Sequence, residues 1–213
     1  MYSKEHTKHL AQLKDLAPEQ LQAFNEFNAA VFQDGALNQK EKEIIAVAIT
    51  HVTQCPYCID SHTKKAKKAG ATLEELAEAV FVTAAVEAGG AVTHSTHVHN
   101  ANEKEASDSL YNRSNLKSLG QLGNFASAGF KGYQAFSAAA TKPGKLSTKF
   151  KEIIAVAVAT ATQCPYCIDV HTKNASRHGV TSEELAEAIM VSSALRAGGS
   201  YAHMSNMINS YQE

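Results

Sequence analysis

Lys42-Glu43-Ile44-Ile45-Ala46-Val47-Ala48 and Thr53-Gln54-Cys55-Pro56-Tyr57-Cys58-Ile59-Asp60 each occur twice in this chain. They return as Lys151-Glu152-Ile153-Ile154-Ala155-Val156-Ala157 and Thr162-Gln163-Cys164-Pro165-Tyr166-Cys167-Ile168-Asp169. Glu74-Glu75-Leu76-Ala77-Glu78-Ala79 likewise returns as Glu183-Glu184-Leu185-Ala186-Glu187-Ala188. The offset is 109 throughout, without insertion. About three in five positions are identical between 41–94 and 150–203, which marks one duplication rather than a solenoid of many short units. Upstream the match fades, but Phe27/Phe136, Gly35/Gly144 and Leu37/Leu146 keep register. The expected organisation is a first repeat at 1–100, a polar connection at 101–115, and a second repeat at 116–213.

Both copies read as helical, so the expected fold class is all-α. From Pro18 to about Val31, apolar residues fall at Leu21, Phe24, Phe27 and Val31, three to four apart. Asn38 with Glu41 is a capping-box pattern, and the helix it starts is apolar nearly all round, as a buried helix should be. Pro56 suits the first turn of a helix, because its missing N–H is not needed there. Cys55 is therefore expected at the N-cap of a helix ending near Gly70, a C′ glycine. Thr72 with Glu75 caps a further helix to about Ala88. Gly89-Gly90 then ends it, kinks it, or allows close helix packing. Ser147, Pro165, Gly179, Thr181 with Glu184, and Gly198-Gly199 repeat these signals in the second copy.

The 213 residues carry 20 Lys+Arg against 21 Asp+Glu, a formal net charge of −1, which gives no general attraction to nucleic acid or an anionic membrane. Hydrophobic residues make up 44 %, enough for a core and too many for wholesale disorder. No uninterrupted apolar run approaches the roughly 18 residues of a membrane span, and Met1-Tyr2-Ser3-Lys4-Glu5-His6 leads into no apolar signal region. The expectation is a cytoplasmic protein whose 4 Cys are catalytic or metal-binding rather than structural disulfides.

The chemistry centres on Cys55-Pro56-Tyr57-Cys58 with His62, and on Cys164-Pro165-Tyr166-Cys167 with His171. Two cysteines three residues apart at a helix start are close enough to join. The free N–H groups of that helix end favour thiolate. His62 is one helical turn after Cys58, on the same face, and is placed to exchange a proton with it. Glu43 lies in an otherwise apolar helix, so its carboxylate should be paired or functional with a raised pKa. Glu43 and His62 are thus expected to relay protons to Cys58, and Glu152 and His171 to Cys167.

Plainer readings exist for the same residues. The cysteines could be core residues, or Cys2His zinc ligands with Glu43 as the fourth, and the glutamates could close structural hydrogen-bond networks. A thioredoxin-type dithiol would need a β/α alternation that is absent. His94, His97 and His99 form a short histidine run, of which only His94 has a counterpart, His203. His94 and His203 follow the double glycine in each copy and face a site or interface, or are satisfied structural histidines. Tyr57 and Tyr166 line a contact or pack. Ser61 against Val170 and Lys65 against Asn174 hint at unequal surroundings for the two motifs.

Glu43, eleven residues, Cys55-Pro56-Tyr57-Cys58, three residues and His62 resemble the signature of the alkylhydroperoxidase D-like branch of the carboxymuconolactone decarboxylase superfamily. Glu152, Cys164, Cys167 and His171 match it again. The resemblance covers 37–94 and 146–203. It implies an all-α fold and a thiol-dependent peroxidase or disulfide-reductase chemistry without haem, metal or other cofactor. It implies that Cys58 and Cys167 are peroxidatic and Cys55 and Cys164 resolving, with His62, His171, Glu43 and Glu152 as proton relays. It further implies a small hydroperoxide substrate, a thiol, lipoyl or thioredoxin-like reductant, and a homotrimer of two-repeat chains with both sites active. Two other functions stay open: a redox-sensing or metal-binding assembly module, and a cofactor-free lyase using Glu and His.

Overall fold

The computed structural model describes residues 2–102 and 111–213, and among these there is no β-strand. After a 3-10 segment at Lys4–Gln12 come α1 (Leu13–Leu16), α2 (Pro18–Val31), α3 (Gln39–Val52), α4 (Pro56–Lys68) and α5 (Leu73–Asn102). A second 3-10 segment, Arg113–Ser118, leads into α6 (Leu119–Phe125), α7 (Ser127–Thr141), α8 (Thr148–Ala161), α9 (Pro165–Arg177) and α10 (Ser182–Gln212). The order repeats element for element, as the duplication requires.

The helix starts are set by the expected residues. Asn38 and Glu41 form a reciprocal capping box at α3, and Thr181 with Glu184 forms one at α10. Thr72 and Glu75 exchange the same pair of bonds at α5. Gly70 and Gly179 follow α4 and α9 with positive φ, 89° and 72°, the left-handed stop that favours glycine.

The core lies between α3 and α8. Ile44, Ile45, Ala46, Val47, Ala48 and Ile49 of the first and Ile153, Ile154, Ala155, Val156, Ala157 and Val158 of the second are at most 2 % exposed. These helices are buried on nearly all sides, which is why their sequences show no polar face.

Two expectations need correction. α5 does not end near Ala88, and α10 passes Gly198-Gly199 in the same way, each running on for more than a dozen residues. Of the three roles offered for the glycine pair, close packing is the one found. A Cβ on Gly89 would come within 2.7 Å of the Tyr133 hydroxyl, and one on Gly199 within 3.8 Å of Thr53. The continued helix therefore overlaps the start of the expected connection at 101–115. The remainder of that connection, 103–110, lies outside the described residues. In addition, Leu73–Val98 is long and apolar enough to cross a membrane by length and composition alone, with mean hydropathy 1.4. In the fold its Ala79, Val82 and Val86 are packed into the protein core.

The repeats are stitched together reciprocally. Glu187 of α10 accepts from the backbone N–H groups of Ala36 and Leu37 and pairs with buried Lys42 at 3.0 Å. Glu78 of α5 does the same for Lys145 and Leu146, and pairs with Lys151 at 2.9 Å. Each long helix thus fixes the loop that leads into the other repeat's core helix. These bonds hold both carboxyls below the usual range against the opposing effect of burial.

Candidate active site

α3 ends at Val52, and the chain turns sharply before α4. Gln54 makes that turn with φ 51°, and Gln163 repeats it with φ 58°, a left-handed conformation uncommon outside glycine. The turn delivers Cys55 and Cys164 to the N-caps of α4 and α9. There each sulfur accepts the backbone N–H three residues on, Cys58 N at 3.3 Å and Cys167 N at 3.2 Å. Pro56 and Pro165 occupy the first helical position, as expected. Cys55 and Cys58 are joined as a disulfide, while Cys164 and Cys167 are free thiols.

The glutamates reach the histidines as the spacing suggested. His62 Nδ1 is 2.7 Å from Glu43 Oε2, and His171 Nδ1 is 2.8 Å from Glu152 Oε2. Both carboxylates are buried. With Nδ1–H donated to a carboxylate, the other ring nitrogen is the one left to exchange protons. Phe32 stacks on His62 at 5.6 Å and fixes the ring plane. Cys58 and His62 line one cavity of about 330 Å³, and Cys167 and His171 line its counterpart of about 70 Å³. All eight expected residues thus sit in two equivalent groups. The N-cap sulfurs lie behind, and the second cysteine of each pair faces the cavity.

What lies above each pair comes from the other repeat. α5 packs on α9, and α10 packs on α4. Thr93 Oγ1 is 3.8 Å from Cys164 Sγ and 3.9 Å from Cys167 Sγ. His94 stands over Tyr166 at 5.8 Å, and His203 over Tyr57 at 5.9 Å. The two histidines after the double glycines therefore face the partner repeat's dithiol motif. His97 packs against His94, Tyr111 and Tyr166, whereas the side chain of His99 lies outside the described residues. Among the described residues no three His, Cys, Asp or Glu are grouped as a metal site. Tyr57 donates its hydroxyl proton to Asn206 at 2.8 Å, and Asn115 donates to the Tyr166 hydroxyl at 3.0 Å. Asn206 thus binds Tyr57 into the repeat interface, while Tyr166 meets the other repeat through His94.

The Cys164 thiol is lowered to about 5. The leading cause is a hydrogen bond from the Cys167 thiol, aided by the Cys167 backbone N–H, Thr93 and His94, against burial. Cys167 is pushed up by the same hydrogen bond, by burial and by the charge on Cys164. The first proton to leave this dithiol therefore leaves from the N-cap position. Neither Thr93 nor the crossing of the long helices was signalled by the sequence. Thr93 has alanine, Ala202, as its counterpart, so comparison of the copies does not single it out.

The sequence profile of the carboxymuconolactone decarboxylase family matches residues 18–101 and again 128–207, once per repeat. The chain belongs to the carboxymuconolactone decarboxylase family. Within this family's reach, an uncharacterized protein of the cox locus of Paracoccus denitrificans is 50 % identical over 72 residues, covering 34 % of this chain and 65 % of that protein. Uncharacterized proteins of Cupriavidus necator and Haemophilus influenzae are 37 % and 38 % identical over 82 and 67 residues. These cover 38 % and 30 % of this chain, and 73 % and 59 % of those proteins. The chain thus spans about two thirds of the length of the curated relatives it matches. The crystal structure of a protein assigned as a gamma-carboxymuconolactone decarboxylase subunit, from Burkholderia xenovorans, superposes with TM-score 0.70 at 22 % identity. It covers 98 % of this chain and 95 % of its own, a likeness of fold. The carboxymuconolactone decarboxylase fold therefore extends over both repeats.

Proposed function

We propose that this protein is a thiol-dependent peroxidase of the alkylhydroperoxidase D-like kind, with one dithiol site per repeat. The observation that carries the reading is the grouping of a cavity-facing cysteine, a second cysteine at the helix N-cap, and a histidine held by a buried glutamate, made twice. The N-cap sulfur and its neighbour share one proton. When that proton passes from Cys167 to Cys164, Cys167 becomes the thiolate, with the cavity in front of it. It attacks the distal oxygen of a hydroperoxide; the S–O bond forms as the O–O bond breaks. The departing alkoxide takes a proton from His171 as imidazolium, and Glu152 steadies that charge. The Cys164 thiol then attacks the sulfenic sulfur, and water leaves as the disulfide closes. Peroxide is reduced to alcohol and water, the dithiol is oxidised, and an external thiol or lipoyl-type dithiol restores it. Cys58, Cys55, His62 and Glu43 play the same parts in the first repeat. The resemblance also favours a homotrimer.

The deciding test is consumption of tert-butyl hydroperoxide with dihydrolipoamide as reductant. Wild type should turn over, and the Cys58→Ser/Cys167→Ser double variant should not. Retained turnover in that variant would sink the assignment. A second reading, acid–base lyase chemistry, draws on the buried Glu43–His62 and Glu152–His171 pairs and on family membership. A lyase would keep its activity on a carboxylated substrate after all four cysteines were replaced by serine.

A further inference from the structure

The two cavities share a plan but not a lining. Position by position, Phe24 of the first is Tyr133 in the second, Ser61 is Val170, Lys65 is Asn174, and Ala202 is Thr93. The hydroxyl of Tyr133, which Phe24 lacks, lies against Gly89, whereas the space beside Gly198 is open. The space is about 70 Å³ at the second dithiol against about 330 Å³ at the first. The smaller space holds roughly two water molecules, enough for hydrogen peroxide and little more. The larger is of the size that takes an organic ligand.

Charge also separates them. Lys65 lines the first cavity, and its ammonium lies 5.8 Å from the centre of the Phe32 ring. No carboxylate among the described residues pairs with it. The cavity adjoins a second hollow of about 320 Å³ at Asn28 and Lys65, which Lys68 also lines, a cation matched by Arg177 in the second repeat. The one acid on that wall among the described residues, Glu43, is engaged by His62. In the second repeat Asn174 replaces the cation and its amide donates to Glu152 at 3.5 Å. Lys65 follows Cys58 by seven residues, two helical turns, so it stands about 10 Å along the same face. Ser61 and His62 lie between them on α4, and the apolar part of the lining is Leu10, Phe24, Ala194, Leu195 and Ala202, with Phe24 stacked on Tyr201 at 4.6 Å.

We infer that the first-repeat cavity takes an apolar hydroperoxide bearing a carboxylate, anchored on Lys65, while the second site is confined to small peroxides. This rests on the peroxidase reading for its chemistry, but the anion site does not depend on turnover. The bonds made and broken are those given above, with an organic alcohol leaving the first site.

Two full-length single-dithiol proteins test it: Cys164→Ser/Cys167→Ser, which keeps the first site, and Cys55→Ser/Cys58→Ser, which keeps the second. Each is assayed with hydrogen peroxide, a fatty-acid hydroperoxide carrying its –OOH at mid-chain, and the methyl ester of that hydroperoxide. The first-site protein should exceed the second by at least about tenfold in kcat/KM on the fatty-acid hydroperoxide, the penalty of a cavity too small for the chain. It should prefer the acid to the ester by about two- to fivefold, as expected for one exposed ion pair, and Lys65→Met should abolish that preference. Tyr133→Phe should raise the second site's rate on the organic hydroperoxide. Equal rates at the two sites, or an acid-to-ester ratio unmoved by Lys65→Met, overturns the inference. Calorimetric binding of the corresponding hydroxy acid reads the site without chemistry. One equivalent per chain, weakened by Lys65→Met, supports it even if neither protein turns over peroxide, a result that would sink the peroxidase reading alone. No hydroxy-acid binding overturns the anion site.

Discussion

Thr93, on the long helix of the first repeat, lies 3.8 Å from the sulfur of Cys164 in the second. The equivalent position over the first dithiol is Ala202, which packs against Cys55 and Cys58 without a hydroxyl to offer. Each dithiol therefore depends on the other repeat for its roof, and the two roofs differ chemically.

Thr93→Ala should raise the pKa of Cys164 from its value of about 5, because one of the groups stabilising the thiolate is lost. The bond is long, so the expected rise is at most about one unit. The pH dependence of iodoacetamide labelling, followed by mass spectrometry at Cys164, reads it directly. An unchanged midpoint would remove Thr93 from the thiolate's environment.

The reduced second site should also make stability depend on pH. Cys164 titrates lower in the folded chain than in the unfolded one, so its contribution is complete above the unfolded cysteine value of about 8.5 and is lost as pH falls through about 5. Cys167 is shifted the opposite way, so its folded form resists ionisation and stability declines again as pH rises past the unfolded value. Urea midpoints of the reduced protein should therefore rise from pH 5 to about 8.5 and then fall. The Cys164→Ser/Cys167→Ser variant should show neither change from these groups.

Glu43→Gln together with Glu152→Gln should lower kcat for peroxide about 100-fold while leaving KM nearly unchanged. The neutral amide still accepts from the histidine but no longer steadies a charged ring. Either variant alone should leave the other repeat working and lose only part of the rate. A double variant with wild-type kcat would show the pair to be structural.

Gly35→Ala and Gly144→Ala should each destabilise the fold by about 2–4 kcal/mol, since the new Cβ would overlap the Glu187 or Glu78 carboxylate that stitches the repeats. Gly70→Ala meets no neighbour and costs only its left-handed backbone, about 1 kcal/mol. Chemical denaturation of the three variants should rank them in that order.

The local structure was legible because its causes are local. The Asn38–Glu41 box, the Pro56 and Pro165 starts, and the positive-φ glycines after α4 and α9 act within a few residues of where they stand. The Glu43–His62 bond spans 19 residues, yet the near-apolar helix around Glu43 already required a partner for it. Gly89-Gly90 misled in its stronger sense. Glycine weakens an isolated helix by about 1 kcal/mol, yet the helix runs on through the pair, and Gly89 sits where Tyr133 leaves no room for a side chain.

By itself, then, the sequence determined an all-helical duplication and two dithiol–histidine–glutamate groups, since caps, apolar period and motif spacing are short-range properties. Only the tertiary structure decided that α5 covers the second dithiol and α10 the first, that Thr93 and Ala202 make the roofs unequal, and that Tyr133 narrows one cavity while Lys65 charges the other. Those contacts join residues about 70 to 150 positions apart. They arise from how two buried helices pack face to face, and no local pattern encodes that.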